Sequence, residues 1–223
     1  MPKRAFSPRE ILAKTYDTMP WDGEWARAFG QPEVNATWLI HGPSAAGKSS
    51  FVMQLAKELC KYGTTLYMSY EEGISQSFQQ RLARFRMKDV QGHFRIATTD
   101  TIEELTERLT RKKSPKFVII DSFQKAGWGY DETVALIERF RRKCFIFISQ
   151  EDKGQPMGKP AKRLKYYAGV KVRVAGYKAY CQGRFIPEAG VYYPVWEEGI
   201  LKTTNNPVRH EPKKRNIDPG TQR

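Results

Sequence analysis

The sequence predicts an α/β protein: a mostly parallel sheet with helices on both faces and a C-terminal antiparallel extension. Three observations carry that expectation. Short apolar runs suited to strands alternate with segments whose apolar residues recur at helical spacing, and this strand–helix order repeats four times. Residues 117–120 and 145–148 are apolar without interruption, as strands buried on both faces of a parallel sheet are. After Gly169 the pattern changes to alternation, with Val170, Val172 and Val174 against Lys171 and Arg173. That pattern marks antiparallel strands with one wet face.

Residues 1–35 carry Pro8, Pro20 and Pro32 and the aromatic residues Tyr16, Trp21, Trp25 and Phe29. Ser7, Pro8 and Glu10 are the residues of a capped helix start. The segment is expected to be a flap over the edge of the core, with Trp21 and Trp25 either packed into it or touching a nucleotide base. Residues 37–40 form a β-prone run. Gly42-Pro43-Ser44-Ala45-Ala46-Gly47-Lys48-Ser49-Ser50 follows, and then Phe51, Val52, Leu55, Ala56, Leu59 and Cys60 at helical spacing. Strand, Gly-x4-Gly-Lys-Ser loop and helix thus come in the order of a phosphate-binding loop. Glycines let backbone N–H groups turn inward around phosphate oxygens, and the helix N-terminus faces the same anion. Lys48 supplies charge at the β- and γ-phosphates of ATP, and the Ser49 hydroxyl is a Mg²⁺ ligand.

A second strand, 65–69, runs into Tyr70-Glu71-Glu72-Gly73. Ile74, Phe78, Leu82 and Phe85 then mark a helix. Residues 94–97 suit a short strand. Asp100 and Glu103 read as a capping box for a helix that buries Leu105 and Leu109 and stops before Ser114-Pro115. The apolar strand 116–120 ends in Asp121. A helix from about Asp131 carries Val134, Ile137 and Phe140, and strand 144–150 ends in Gln150. Alternating residues on either side of Gly176-Tyr177 predict a hairpin, and residues 191–196 an edge strand. The stretch beyond Thr203 is polar, basic and rich in Pro, which predicts a disordered tail. The expected division is a flap at 1–35, an ATPase core at 36–202 and a tail at 203–223.

Three polar residues close apolar strands, where ligands bind in open α/β sheets. Asp121 fits a second Mg²⁺ position, reached through water. Glu71, followed by Glu72, fits a general base for an attacking water, or a carboxylate favoured at a helix start. Gln150 fits a sensor of the γ-phosphate, or an amide that satisfies local backbone.

The net charge is +14, and residues 151–185 alone hold nine Lys or Arg against two acids. Such a concentration favours a polyanionic partner, most simply nucleic acid. After Gln150, glycines for mobility precede Lys153, Lys159, Lys162, Arg163 and Lys165, with Tyr166 and Tyr167 for stacking. The set suits a single strand, or else a solvated basic face. Lys125, Trp128 and Tyr130 among glycines suit a second stacking loop, or in the case of Trp128 the core. Three widely spaced cysteines, Cys60, Cys144 and Cys181, are expected as free thiols in a reducing cytoplasm. No apolar run reaches membrane-spanning length, and no secretory signal follows Met1-Pro2-Lys3-Arg4.

Residues 67–73, 119–122 and 148–150, together with the phosphate loop, resemble the RecA-like ATPases, above all the RadA branch of DNA repair ATPases and small phage and mobile-element relatives. The resemblance covers roughly residues 36–200. It implies a Mg²⁺-dependent, DNA-stimulated ATPase of recombination, repair or replication, assembled as a ring or filament on single-stranded DNA. The Glu-Glu pair is also similar to KaiC-type domains, which implies the alternative of a nucleotide-gated loader or regulator acting on a protein partner. Residues 151–160 are similar to that family's mobile DNA-contacting loop. Residues 180–185 resemble RadA's Lys-Asn-Arg-Phe-Gly motif, which implies that Arg184 reaches a neighbouring subunit's γ-phosphate. The motif lysine is Gln182 here, so Lys178 or Arg184 alone would serve. No zinc-binding cysteine pattern precedes the core and no protease-like domain follows it, so a stand-alone core is expected.

Overall fold

A computed structural model describes residues 4–185 and 190–205. Pro8 and the reciprocal Ser7–Glu10 capping box open α1 (Pro8–Leu12): the Glu10 N–H donates to Ser7 Oγ at 3.3 Å and the Ser7 N–H to the Glu10 carboxylate at 2.8 Å. Such a cap contributes about 1 kcal/mol. α2 (Gly23–Phe29) then carries Trp25 and Phe29 onto the sheet. From there strands and helices alternate: β1 (Trp38–Gly42), α3 (Lys48–Leu59), β2 (Thr65–Ser69), α4 (Gln76–Arg84), a 3₁₀ turn at Met87–Val90, β3 (Phe94–Ala97), α5 (Ile102–Thr110), β4 (Phe117–Asp121), the short α6 (Phe123–Ala126), α7 (Tyr130–Arg139) and β5 (Cys144–Asp152). The chain continues through β6 (Gln155–Pro156), α8 (Lys159–Tyr167), β7 (Val170–Ala175), β8 (Lys178–Cys181), β9 (Tyr192–Pro194) and α9 (Glu197–Asn205).

The sheet order is β3-β2-β4-β5-β1-β7-β8-β9, with β6 paired to the extended end of β5. All pairs from β3 through β7 are parallel, and β7–β8 and β8–β9 are antiparallel. The sequence places β7 in the antiparallel extension. In the structure β7 pairs parallel with β1, Trp38 opposite Val170, and only β8 and β9 run back. The turn at Gly176-Tyr177 is as expected, with φ of 54° and 60°, the left-handed pair that suits a two-residue hairpin.

Side-chain alternation splits the core in two. Trp38, Ile40, Ile119, Ile146 and Ile148 face α2 and α3, while Leu39, Val118, Ile120, Phe145 and Phe147 face α5, α7 and α8. Both faces are covered, which is why the central strands read as unbroken apolar runs. Trp21 and Trp25 belong to the first cluster, within 5.5 Å of one another, and Trp25 stacks on Tyr193 at 4.3 Å. Trp128 is buried edge-on to Tyr70, so the 124–130 segment uses it as core and not as a stacking platform.

Several local expectations shift. The cap of α5 is Thr101 with Glu104, one residue later than Asp100 and Glu103, and Asp100 pairs with Arg108 at 2.7 Å instead. Ile74 lies ahead of α4, whose N-cap is Ser75, and is 86% exposed. α7 buries Thr133, Leu136 and Ile137, leaving Val134 only half-buried. Residues 203–205 end α9, and the remainder of the expected tail lies outside the described residues. All three cysteines are buried free thiols.

Candidate active site

Chain direction decides where the site falls. The C-terminal ends of β1, β2, β4 and β5 lie side by side, and the loops leaving them enclose a cleft of about 480 Å³. Its walls include Ser44, Ala45, Lys48 and Ser49 of the glycine loop, Glu71 and Glu72 after β2, Asp121 and Ser122 after β4, and Gln150 and Glu151 of β5. Residues more than 100 apart in sequence meet here because parallel pairing brings these strand ends level.

The loop's glycines have separate reasons. At Gly42 a Cβ would come within 2.0 Å of the Val174 carbonyl oxygen, so only glycine lets β1 lie against β7. At Gly47 the φ of 97° is the left-handed region that favours glycine, and a Cβ would press on Tyr177 at 3.0 Å. The Tyr177 N–H donates to the Ala46 carbonyl at 3.2 Å, which braces the loop from the β7–β8 turn. Lys48, the first residue of α3, curls back over the loop and donates to the Gly42 and Pro43 carbonyls at 2.8 and 2.7 Å. Burial lowers its pKa, opposed by the charges of Glu71, Asp121 and Glu151.

The two glutamates after β2 are separated by their partners. Glu72 forms a two-point ion pair with Arg81, at 2.7 and 3.2 Å, and accepts from Ser77 Oγ. Glu71 is exposed in the cleft and accepts from Gln150 Nε2 at 3.3 Å. Asp121 is the buried member. Burial raises its pKa to about 6 against a hydrogen bond from the Tyr67 hydroxyl, with Glu71 nearby adding to the rise. The Tyr67 hydroxyl is itself held protonated by burial and by Asp121.

No motif in the sequence signals the charged network at the Glu151 wall of the cleft. Glu151, 6% exposed at its side chain, is gripped by Arg173 from β7 through two hydrogen bonds of 2.9 and 2.8 Å and by His41 Nδ1 of β1 at 3.0 Å. Arg173 lowers the Glu151 pKa, and burial holds His41 neutral with a pKa of about 4. Only the β1–β5 and β1–β7 pairings bring these residues together.

The remaining expected residues lie elsewhere. β5 runs on through Gln150 into a hairpin with β6 that turns at Lys153-Gly154, so the expected mobile loop is a paired ribbon leading into α8. Lys153, Lys159 and Lys162 are exposed on it. Arg163 instead lies 3.8 Å from the Tyr130 ring and pairs with Asp131, and Lys165 donates to Gln155 at 3.2 Å. Arg184 is exposed beyond the end of β8. Because β8 is antiparallel to β7, this is the pole opposite the cleft, and its N–H meets the Gly169 carbonyl at 3.5 Å.

The Asp121 environment makes a stability test. Its folded pKa of about 6 lies above that of an exposed carboxyl, so its ionisation costs stability as pH rises from about 4 through 6. Asp121→Asn is expected to melt higher than wild type at pH 7.5, by about 1–3 kcal/mol. The gain should shrink steadily as pH falls through 6 and be nearly gone at about pH 4, where the folded carboxyl is neutral. His41 acts in the opposite sense: held neutral with a pKa of about 4, it costs stability as pH falls from 6.5. Melting curves of both proteins between pH 4 and 8 separate the two, since the substitution leaves His41 in place.

Fold and loop together define the class: a RecA-like α/β fold that carries a phosphate-binding-loop sequence at the head of its cleft. No protein-family model matches the chain. It is similar to the DNA repair protein RadA of Streptococcus pneumoniae, 33% identical over 86 residues that cover 39% of this chain and 20% of that protein. RadA of Streptococcus pyogenes serotype M1 matches at the same identity over 18% of its length, so the match takes in about a fifth of these relatives. Two solved structures share the fold. They are the flagellar accessory protein FlaH of Methanocaldococcus jannaschii (TM-score 0.51, 16% identity, 71% of this chain and 80% of that one) and a KaiC-like protein of Pyrococcus horikoshii (TM-score 0.50, 17% identity, 70% and 81%). Among the described residues no helix is long and apolar enough to cross a membrane.

Proposed function

We propose that the chain binds ATP with Mg²⁺ in the cleft, hydrolyses it, and couples the state of the γ-phosphate to single-stranded DNA held along the hairpin and α8. The observation that carries this reading is the convergence of Lys48, Ser49, Glu71, Asp121 and Gln150 on one cleft, with the basic ribbon continuing directly from Gln150. Lys48 neutralises charge on the transferred phosphate. Glu71 is the general base for water, because Glu72 is committed to Arg81. Gln150 trades its bond to Glu71 for the γ-phosphate and passes the difference to the hairpin.

The residues fit Mg²⁺. Among the described residues no cluster of three His, Cys, Asp or Glu could cage a metal, as suits an ion held mainly by phosphates, water and few protein groups. Ser49 would bind it directly and Asp121 through water, and the buried Ser122 hydroxyl, which has no hydrogen-bond partner among the described residues, adds a polar group to the same wall. Bound there, the ion would screen the phosphate charge.

A homo-oligomeric ring or filament, cytoplasmic and acting in recombination, repair or replication, is the matching biological setting. A regulator of a protein partner is the second reading, favoured by Ile74, a large apolar side chain exposed beside the Glu71–Glu72 pair. ATP turnover measured with and without single-stranded DNA decides. DNA should raise turnover, and replacing Lys153, Lys159 and Lys162 with Gln should lower the salt slope of binding by about 0.7 per lost contact. Basal turnover should survive that replacement. No response to DNA would favour the protein partner.

A further inference from the structure

Strand β4 parts from β5 before β5 ends. Their register pairing stops at Ile120 and Phe147, and after Asp121 the chain turns into α6. Phe123 packs edge-on to Phe147, with ring centroids 5.4 Å apart, and so seats α6 against β5. The next residue, Gln124, aims its carboxamide at the end of β5. Gln124 Oε1 accepts from the Gln150 N–H at 3.1 Å, and Nε2 donates to Ser149 Oγ and to the Met157 carbonyl, both at 2.8 Å. A carboxamide offers the same C=O and N–H groups as a peptide. Here it takes up bonds that a neighbouring strand would otherwise make.

These bonds converge on Gln150. Its carbonyl accepts from the Met157 N–H and from Ser149 Oγ, each at 2.8 Å, and Gln124 holds both of those residues. Both main-chain polar groups of Gln150 are therefore engaged in one cluster, while its side chain reaches Glu71 at 3.3 Å. Gln150 and Met157 line the cleft, and Gln124 stands behind them. One residue further on, Glu151 is fixed by the ionic clasp of Arg173 and His41. The strand end is thus pinned at 151 by charge and steered at 150 by one neutral amide.

We propose that Gln124 is a positioning residue: it sets the peptide from which the Gln150 side chain reaches a γ-phosphate, and through the Met157 carbonyl it carries a change in that peptide to the hairpin and α8. The inference rests on the ATPase reading above and deepens it, since it gives the coupling a path of named bonds. The donor count makes Gln124 a relay and not a passive brace. Its two Nε2 protons are both committed, so the amide cannot follow a shift of Gln150 without loosening its hold on Ser149 or Met157. Bonds of 2.8 Å weaken over a few tenths of an ångström, about the scale on which Gln150 would move in leaving Glu71 for a phosphate. Gln124 touches no reacting atom, and the chemistry stays with Lys48, Glu71 and Gln150.

The test compares wild type, Gln124→Met, Gln150→Ala and the two changes combined, all in the full chain. Methionine matches glutamine in length and lacks its donors and its carbonyl. In Gln124→Met kcat should fall about 10- to 10²-fold, the scale for a small misplacement at a reacting centre. KM for ATP and the affinity for a fluorescent ATP analogue should stay within about twofold, because the residue lies behind the cleft wall. In the Gln150→Ala background the same change should cost nothing further, since a residue that acts through Gln150 then has nothing to position. Hydrogen–deuterium exchange over residues 150–157, with and without a non-hydrolysable ATP analogue, reads the relay: the analogue should alter exchange in wild type and leave it unaltered in Gln124→Met. If Gln124→Met does not fold, Gln124→Glu takes its place in the exchange experiment. Its carboxylate keeps an acceptor for the Gln150 N–H and has no donor for the Met157 carbonyl, so the response should again be lost, and a retained response overturns the proposal. Losses in kcat that add in the double variant overturn it too, as does a fall in kcat matched by a rise in KM, which marks a distorted cleft. A wild-type hairpin that ignores the analogue overturns the relay. Wild type without ATP turnover would bring down the ATPase reading and this inference with it, whereas wild-type turnover that a folded Gln124→Met retains in full brings down this inference alone.

Discussion

Lys48→Ala is expected to bring ATP turnover down to background, a fall of about 10²- to 10³-fold or more, the scale for removing one preorganised charge from a phosphoryl-transfer site. Folding should not suffer. The Lys48 ammonium is half-buried and its charge is disfavoured there, and of the two carbonyls it bonds, that of Pro43 is exposed. Turnover and melting temperature measured on the same preparation are therefore decisive. A folded variant with wild-type turnover would remove the phosphate-loop assignment altogether.

Arg184 carries the second large effect. Its place at the pole opposite its own cleft leaves it no route to the phosphates of its own subunit, so any catalytic part it plays is on a neighbour. A finger supplied in trans is worth about 10³-fold or more in phosphoryl transfer. Here Gln182 stands in place of the motif lysine, and a smaller effect, about 10²-fold, is expected of Arg184→Ala. Mixing gives the cleanest reading. Glu71→Gln subunits keep Arg184 but lack the base, and Arg184→Ala subunits have the opposite defect. Together they should regain part of the turnover that each lacks alone. If mixed assemblies form, as shown by native mass spectrometry, and no turnover returns, Arg184 does not act across an interface.

How much of this was legible in the sequence follows from the range of the forces involved. Strand β4 and helix α3 were readable because burial on one or both faces writes a period into neighbouring residues. The phosphate loop was readable because its geometry demands glycine at fixed spacing. Asp121, Glu71 and Gln150 were readable as polar residues ending apolar runs, and the structure brings all three to one wall. The Glu151–His41–Arg173 network was not, since it joins residues 22 to 110 apart that only strand pairing brings together. The parallel pairing of β7 with β1 was missed for a related reason: alternation in a strand reports its two faces, not the direction of its neighbour. Ile74 was misplaced because its spacing matches the helix while Ser75 is the better cap. The eight Lys and Arg of residues 111–116 and 139–143 were not legible as one surface, because only the β4–β5 register brings these two short segments together.

The clasp on Glu151 has a consequence for how the chain tolerates change. Immediately past it, the ribbon is secured again where the Met157 N–H donates to the Gln150 carbonyl at 2.8 Å and Gln124 Nε2 to the Met157 carbonyl at 2.8 Å. Between these fastenings lies only the tip, Lys153-Gly154, with both residues at positive φ. Each doubling of such a tip adds only about 0.6 kcal/mol of closure entropy. The tip is therefore where the chain can be spliced: its length can vary among descendants of this sequence while the cleft on the other side of Glu151 keeps its shape.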